Sequence, residues 1–240
     1  MSSVPDRTVR VLAMAPMRSE LRPVVRAMGG KAERLGPFET FVGTAGGNKV
    51  TATMIGVGPD AARRSAERLL EAAAFDHVVV TGIAGGIGPG IAVGDLVTPE
   101  AVEDLRTGTR YAPRTLGRHR PAGTLSTTHE LIVDDERIAE LVRRGIVALD
   151  METSAVAAVC EERGVPWSVF RVVSDRPQDG LLDHGVFELL EADGTVHPGR
   201  TIKYVVTRPS RVRHLVRLAR DSGGAARKAA LATLSACAAL

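Results

Sequence analysis

The run His77-Val78-Val79-Val80-Thr81 constrains the fold more than any other stretch of the chain. It is short, apolar without alternation and rich in β-branched residues, the pattern of a strand covered on both faces in a parallel sheet. Parallel neighbours need crossover connections, and the surrounding sequence supplies them. Strand-like runs at residues 9–14, 50–55 and 167–173 alternate with helical patterns at 19–28, 59–74, 134–143 and 152–162. Pro59 stands at a helix start, and Ala62, Ala66, Leu69, Leu70 and Ala73 follow at helical spacing. Gly29-Gly30 closes the first helix, while Gly164 and Pro166 close the helix before the last strand. Residues 91–99 and 124–132 complete the strand candidates. The expectation is an α/β fold: a three-layer α/β/α sandwich around a mixed, largely parallel sheet. With 240 residues, no internal repeat and no dividing linker, it is expected as one domain over 1–240.

Composition narrows the function. A net charge of +3 is too small to make the whole chain a nucleic-acid binder. Cys160 and Cys237 are far apart, with no CxxC pair, so neither a metal site nor a disulfide framework is expected. No cofactor is expected either. The polar first ten residues carry no signal run, and the expected location is the cytoplasm.

The C-terminal part differs in character. From Gly199 onward there are nine Lys or Arg against one acid, Asp221. Arg211, Arg213, Arg217 and Arg220 interleave with Val212, Leu215, Val216 and Leu218 as a basic amphipathic helix, which Ser222-Gly223-Gly224 is expected to break before an Ala-rich helical tail. Residues 208–240 therefore read as a helical extension. The commoner arrangement is a solvated helix at the domain edge; the alternative is a peripheral membrane contact.

The glycine run Thr81-Gly82-Ile83-Ala84-Gly85-Gly86-Ile87-Gly88-Pro89-Gly90 follows the buried strand. Neither GxGxxG nor GxxxxGK[ST] fits it. It reads as a loop at a strand's carboxyl end, where α/β sheets bind ligands and glycines admit a flat ligand close to the main chain. A tight loop needed only for folding has the same composition.

Two further segments set acids at strand ends: Ala148-Leu149-Asp150-Met151-Glu152-Thr153 and Phe170-Arg171-Val172-Val173-Ser174-Asp175. Carboxylates joined by one helix in this way suggest glycosidic-bond chemistry. Arg171 stands in an otherwise apolar strand, and a buried guanidinium requires carboxylate partners.

Val80-Thr81-Gly82-Ile83-Ala84-Gly85-Gly86, Val93-Gly94-Asp95, Asp150-Met151-Glu152 and Arg171-Val172-Val173-Ser174-Asp175 together resemble, in order and spacing, the nucleoside phosphorylase/nucleosidase superfamily. The nearest branch is the 5′-methylthioadenosine/S-adenosylhomocysteine nucleosidases, over residues 9–175. That resemblance implies hydrolysis of the N-glycosidic bond of a purine nucleoside, a 5′-substituted adenosine, with release of adenine. It also implies a homodimer. Asp175 then matches the acid that protonates the purine at N7, and Glu152 the acid that binds the ribose hydroxyls. Met151 packs beside the sugar, Ser174 supports the base-binding acid, Ile83, Ala84 and Gly85 line base and sugar, and Arg171 organises the acids. Glu20 aligns with the glutamate that activates water. On its own it is an ordinary first-turn helix acid. A carboxylate there suits hydrolysis, because it repels a phosphate dianion; Arg18 beside it keeps a phosphate-dependent phosphorylase open as an alternative. A gapless count back from Glu152 puts His129 where the branch stacks a Phe on adenine. Beyond Asp175, residues 190–194 and 208–221 instead resemble the hopanoid-associated branch, which implies cleavage of an adenosylhopane-type lipid nucleoside at the membrane surface.

Overall fold

The computed structural model describes residues 8–177 and 212–240, with side chains of the last segment described from Val216. Residues 190–194 and 208–211, on which part of the hopanoid-branch resemblance rests, lie outside the described residues, as does the side chain of Arg213.

The strands are β1 (Arg10–Ala15), β2 (Lys31–Leu35), β3 (Phe38–Ala45), β4 (Asn48–Met54), β5 (His77–Gly86), β6 (Leu96–Val97), β7 (Ala101–Asp104), β8 (Arg110–Tyr111), β9 (Thr124–Thr127), β10 (Ile146–Asp150) and β11 (Trp167–Asp175). The helices are α1 (Arg18–Ala27), α2 (Pro59–Ala72), α3 (Asp135–Arg143), α4 (Thr153–Glu162) and α5 (Val212–Cys237). One sheet runs β2-β3-β4-β1-β5-β10-β9-β7-β8, and β11, off this path, is a third partner of β5 and also pairs with β6. The ladders β4–β1–β5–β11 and β10–β9–β7 are parallel. The antiparallel pairs are the β2–β3–β4 meander, the short β7–β8 and β6–β11 pairs, and the seam where β10 crosses the end of β5.

The two-residue period of the strands builds both helical layers. Leu12 and Met14 of β1 face Ala62, Ala66 and Leu69 of α2 and Val156, Ala157 and Cys160 of α4. Val11, Ala13 and Ala15 face Leu21 and Val24 of α1 and Ala230, Ala236 and Cys237 of α5. β11 divides likewise, with Trp167, Val169 and Val173 on the first side and Phe170 on the second. Each such Val or Leu contributes about 1.5–3 kcal/mol by leaving water.

Four expectations change. The glycine run is not a loop from Thr81: β5 continues to Gly86, because β11 pairs with it as far as Gly85. The strand expected over 91–99 shrinks to Leu96–Val97, and that over 124–132 stops at Thr127. The exposed β2 and the mixed pattern of β3 form a hairpin that periodicity did not mark. Ser222-Gly223-Gly224 does not break the last helix. Two helical glycines cost about 1 kcal/mol each, but Ala225, Ala226, Ala229 and Ala230 beyond them are buried and hold the helix straight through. Its last turn is fixed by the Asn48 side-chain amide, which donates to the Cys237 carbonyl at 2.9 Å. The Ala-rich half is thus a core element, whereas Arg217 and Arg220 near its start are exposed. Among the described residues, no helix is long and apolar enough to cross a membrane.

Candidate active site

Four elements converge at the carboxyl ends of the central strands. β11 carries Arg171, fully buried, on the face toward α4. Its Nη2 lies 2.7 Å from Asp150 Oδ2 at the end of β10 and 3.2 Å from Glu152 Oε2 at the start of α4. Its Nη1 lies 3.7 Å from Glu20 Oε1 of α1 and donates to the Ile83 carbonyl at 3.3 Å. Burial disfavours the guanidinium charge, but Asp150, then Glu152, then Glu20 more than offset this and hold its pKa above the ordinary arginine value.

Glu20 is 2% exposed. Oε1 accepts from Ile83 N–H at 2.8 Å and Oε2 from Met17 N–H at 3.0 Å, which fixes both oxygens with main-chain donors. Burial pushes its pKa up to about 7, against the pull of Arg171 and these two N–H groups. Glu152 is raised as well, again chiefly by burial and against Arg171; its Oε1 accepts from Gly58 N–H at 3.0 Å in the turn before α2. A carboxyl that titrates near neutrality can exchange protons at working pH.

Asp175 closes β11 and is 6% exposed. Ser174 Oγ donates to its Oδ1 at 2.5 Å and lies 3.4 Å from the Ala84 carbonyl, so β5 and β11 orient this acid jointly. Beside it is a cavity of about 100 Å³, walled by Gly85, Leu131, Ile132, Leu149 and Met151 with Asp175 itself. Gly85 contributes bare backbone: a Cβ built there would come no nearer than 3.6 Å to Asp175.

Glu20, Ile83, Ala84, Gly85, Met151, Glu152, Arg171, Ser174 and Asp175 are therefore gathered in one region. His129 is not. It is exposed and bonded to Arg106 Nε at 3.3 Å, while its neighbours Thr128 and Glu130 line the cavity. The Thr128 hydroxyl donates to the Glu130 carbonyl, and this tight turn directs the histidine outward, leaving Leu131 and Ile132 as the apolar wall. Arg18 also stands apart, half-exposed and 3.7 Å from Glu39. Among the described residues, no group of three or more His, Cys, Asp or Glu is arranged to hold a metal ion.

Sequence reasoning gave no role to Gly82, Asp150, Thr127 or Thr153. Gly82 has φ +147°, and a Cβ there would sit 2.2 Å from Glu20 Oε1 and 2.7 Å from Arg171 Nη1. Glycine is the residue that lets the α1 glutamate reach β5. Gly82→Ala is expected to destabilise the fold by about 1–3 kcal/mol through overpacking and backbone strain, read as a lower denaturant midpoint. An unchanged midpoint would mean that Glu20 swings away at no cost.

The phosphorylase superfamily model matches residues 10–132 and 103–197, which together include every element of this site. The chain belongs to the phosphorylase superfamily. Among members, the 5′-methylthioadenosine/S-adenosylhomocysteine nucleosidase of Actinobacillus succinogenes is 29% identical over 197 residues, covering 70% of this chain and 86% of that protein. The same-named protein of Shewanella putrefaciens is 26% identical over 198 residues, covering 70% and 86%. Among solved structures, the nucleosidase of Neisseria meningitidis in complex with methylthio-immucillin-A superposes with a TM-score of 0.72 at 20% identity, covering 97% of this chain and 100% of that one. Futalosine hydrolase of Helicobacter pylori shares the fold at a TM-score of 0.69 and 15% identity, covering 95% and 97%. The α/β architecture is thus that of the superfamily, and the same fold carries more than one named activity.

Proposed function

We propose that the chain hydrolyses the N-glycosidic bond of a purine nucleoside, a 5′-substituted adenosine of the methylthioadenosine/S-adenosylhomocysteine type, and releases adenine. The observation that carries hydrolysis over phosphorolysis is the charge of the site. Glu20, Asp150 and Glu152 surround the single guanidinium of Arg171, and Arg18 is turned to Glu39. A phosphate dianion entering there meets three carboxylates ringed about a guanidinium that they already neutralise. Water meets a buried carboxylate able to take its proton.

In this reading Asp175, held by Ser174, donates a proton to purine N7, so the C1′–N9 bond breaks with a neutral base leaving. Glu152 accepts hydrogen bonds from the ribose hydroxyls, and Met151 packs beside the sugar. Glu20 removes a proton from the water whose oxygen bonds to C1′. Ile83 presents its N–H to Glu20, and Gly85 gives the base a flat wall. The reading extends to a homodimer, as the resemblance implies, and to the cytoplasm, which the two free, buried cysteines favour.

A second reading concerns the 5′ group. Among the described residues, a groove of about 740 Å³ runs beside α1, with Leu21, Val25, Phe41 and Met54 on its floor and Arg18, Arg22 and Arg26 along its rim. Its residues Ile55 and Gly56 directly precede the Val57-Gly58 turn that meets Glu152. An apolar space so placed suits a large lipid on the 5′ side, with exposed Arg217 and Arg220 toward anionic headgroups.

Free-base release from methylthioadenosine, adenosine and inosine, each with and without phosphate, tests both. The expected result is adenine from methylthioadenosine without phosphate. Release only with phosphate overturns the hydrolytic assignment. Silence on all three small nucleosides, with cleavage of an adenosine carrying a lipid at the 5′ carbon, selects the second reading.

A further inference from the structure

The cluster around Arg171 holds more negative than positive groups, and its members are not equivalent. Asp150 approaches the guanidinium most closely, at 2.7 Å, against 3.2 Å for Glu152 and 3.7 Å for Glu20. Asp150 is also the acid best supplied with donors. Thr127 Oγ1 donates to its Oδ1 at 2.8 Å, the N–H groups of Glu152 and Thr153 approach the same oxygen at 3.4 and 3.3 Å, and the Thr153 hydroxyl donates to Oδ2. Thr127 is itself fixed, accepting from Ser154 N–H at 2.8 Å. A carboxylate so surrounded carries its charge without water and pairs with an arginine in one geometry. Glu20 lies beyond hydrogen-bond distance of the same guanidinium.

We propose that Asp150 is a positioning residue: its carboxylate neutralises Arg171, leaving Glu20 to exchange a proton with the nucleophile instead of serving as the arginine's permanent counter-ion. The inference rests on the hydrolytic reading of the site, and it assigns the division of labour within it. Among the described residues, the charged groups that act on Glu20 are Arg171 from β11 and Glu152 from the start of α4, and Asp150 at the end of β10 reaches it through Arg171. β5 and the turn before α1 contribute the Ile83 and Met17 N–H groups. Without the Asp150 charge, the full field of Arg171 falls on Glu20 and Glu152. An opposite charge at such distances lowers a carboxyl pKa by about 1–3 units, so Glu20 becomes a weaker base. Burial, with the like charge of Glu152, holds its titration near 7 against the pull of Arg171.

The test is Asp150→Asn, with Asp150→Ser as a smaller uncharged variant should the amide fail to fold. Carboxyl ¹³C resonances of Glu-labelled protein, with Glu20 assigned through Glu20→Gln, give its titration directly. In either folded variant the Glu20 midpoint is expected about one pH unit or more lower, while Asp150→Glu keeps it in place. The acid limb of kcat/KM for adenine release is expected to move down by the same amount as kcat falls. An unmoved Glu20 midpoint in the uncharged variants overturns the proposal, because a purely structural role lowers activity at every pH without shifting a titration. If the unsubstituted protein releases no adenine, the hydrolytic reading fails on its own, and the ¹³C titration still decides whether Asp150 sets the ionisation of Glu20.

Discussion

Asp175→Asn is expected to abolish adenine release while leaving the fold intact. An adenine anion is a poor leaving group, and its departure requires a proton at N7 as the glycosidic bond lengthens. General acid help of this kind contributes about 10²–10⁴ in rate. Asparagine keeps the shape and can still accept from Ser174 Oγ, but it has no comparable proton to give. The thermal midpoint should therefore stay close to that of the unsubstituted protein while turnover falls by at least about a hundredfold. Base release followed by chromatography, beside a melting curve for the same preparation, reads both. Turnover near normal in a folded variant would sink the assignment of Asp175.

Glu20→Gln is the second. It should bind nucleoside and fail to hydrolyse it, because an amide cannot accept a proton from water. The loss expected is again about 10²–10⁴ in kcat, with the dissociation constant little changed in calorimetric titration. The substitution is not silent structurally. Met17 and Ile83 both donate to the Glu20 carboxylate, and the amide nitrogen cannot accept from either. One buried N–H left without a partner costs about 1–3 kcal/mol, so a somewhat lower melting temperature belongs to the expected result. Hydrolysis retained in the folded variant would mean that water is activated by another group.

Much of this site is legible in the chain because its chemistry stands out from its surroundings. Arg171 is a charge inside an apolar strand, and Asp175 and the Asp150/Glu152 pair stand at strand ends; such anomalies are visible without a fold. The parallel core was equally legible, since Val78-Val79-Val80 and the Ala62, Ala66, Leu69 spacing are period signals that tertiary packing reinforces. What could not be read depended on contacts between distant segments. Glycines carry no pattern, so the extension of β5 is decided by β11 as far as Gly85 and by β10 at Gly86, both far along the chain. Glu20 looks like any first-turn acid until Gly82 lets it reach Ile83. Counting along the chain brings His129 to the base, but a count says nothing of the turn that directs it outward. Asp150 lay in plain view two residues from Glu152, but which acid holds the arginine follows from distances alone. The helix through Gly223-Gly224 owes its continuity to buried alanines, which local propensity does not weigh.

The shared strand β5 has a consequence for how the molecule is made. β1 and β5 leave the ribosome early, yet the parallel partner on the other edge of β5 is β11, whose first residue is Trp167. At roughly 5–20 residues per second, synthesis reaches β11 about 4–16 s after β5 is complete. For that interval Val78, Val79 and Val80 border an unpaired edge, the kind of surface that recruits chaperones or other chains. When β11 docks it closes that edge and carries Arg171 into the midst of Glu20, Asp150 and Glu152 in the same movement. Nascent chains short of this point hold the acids without their cation, so the β5–β11 seam and the centre of the site depend on the same late-made strand.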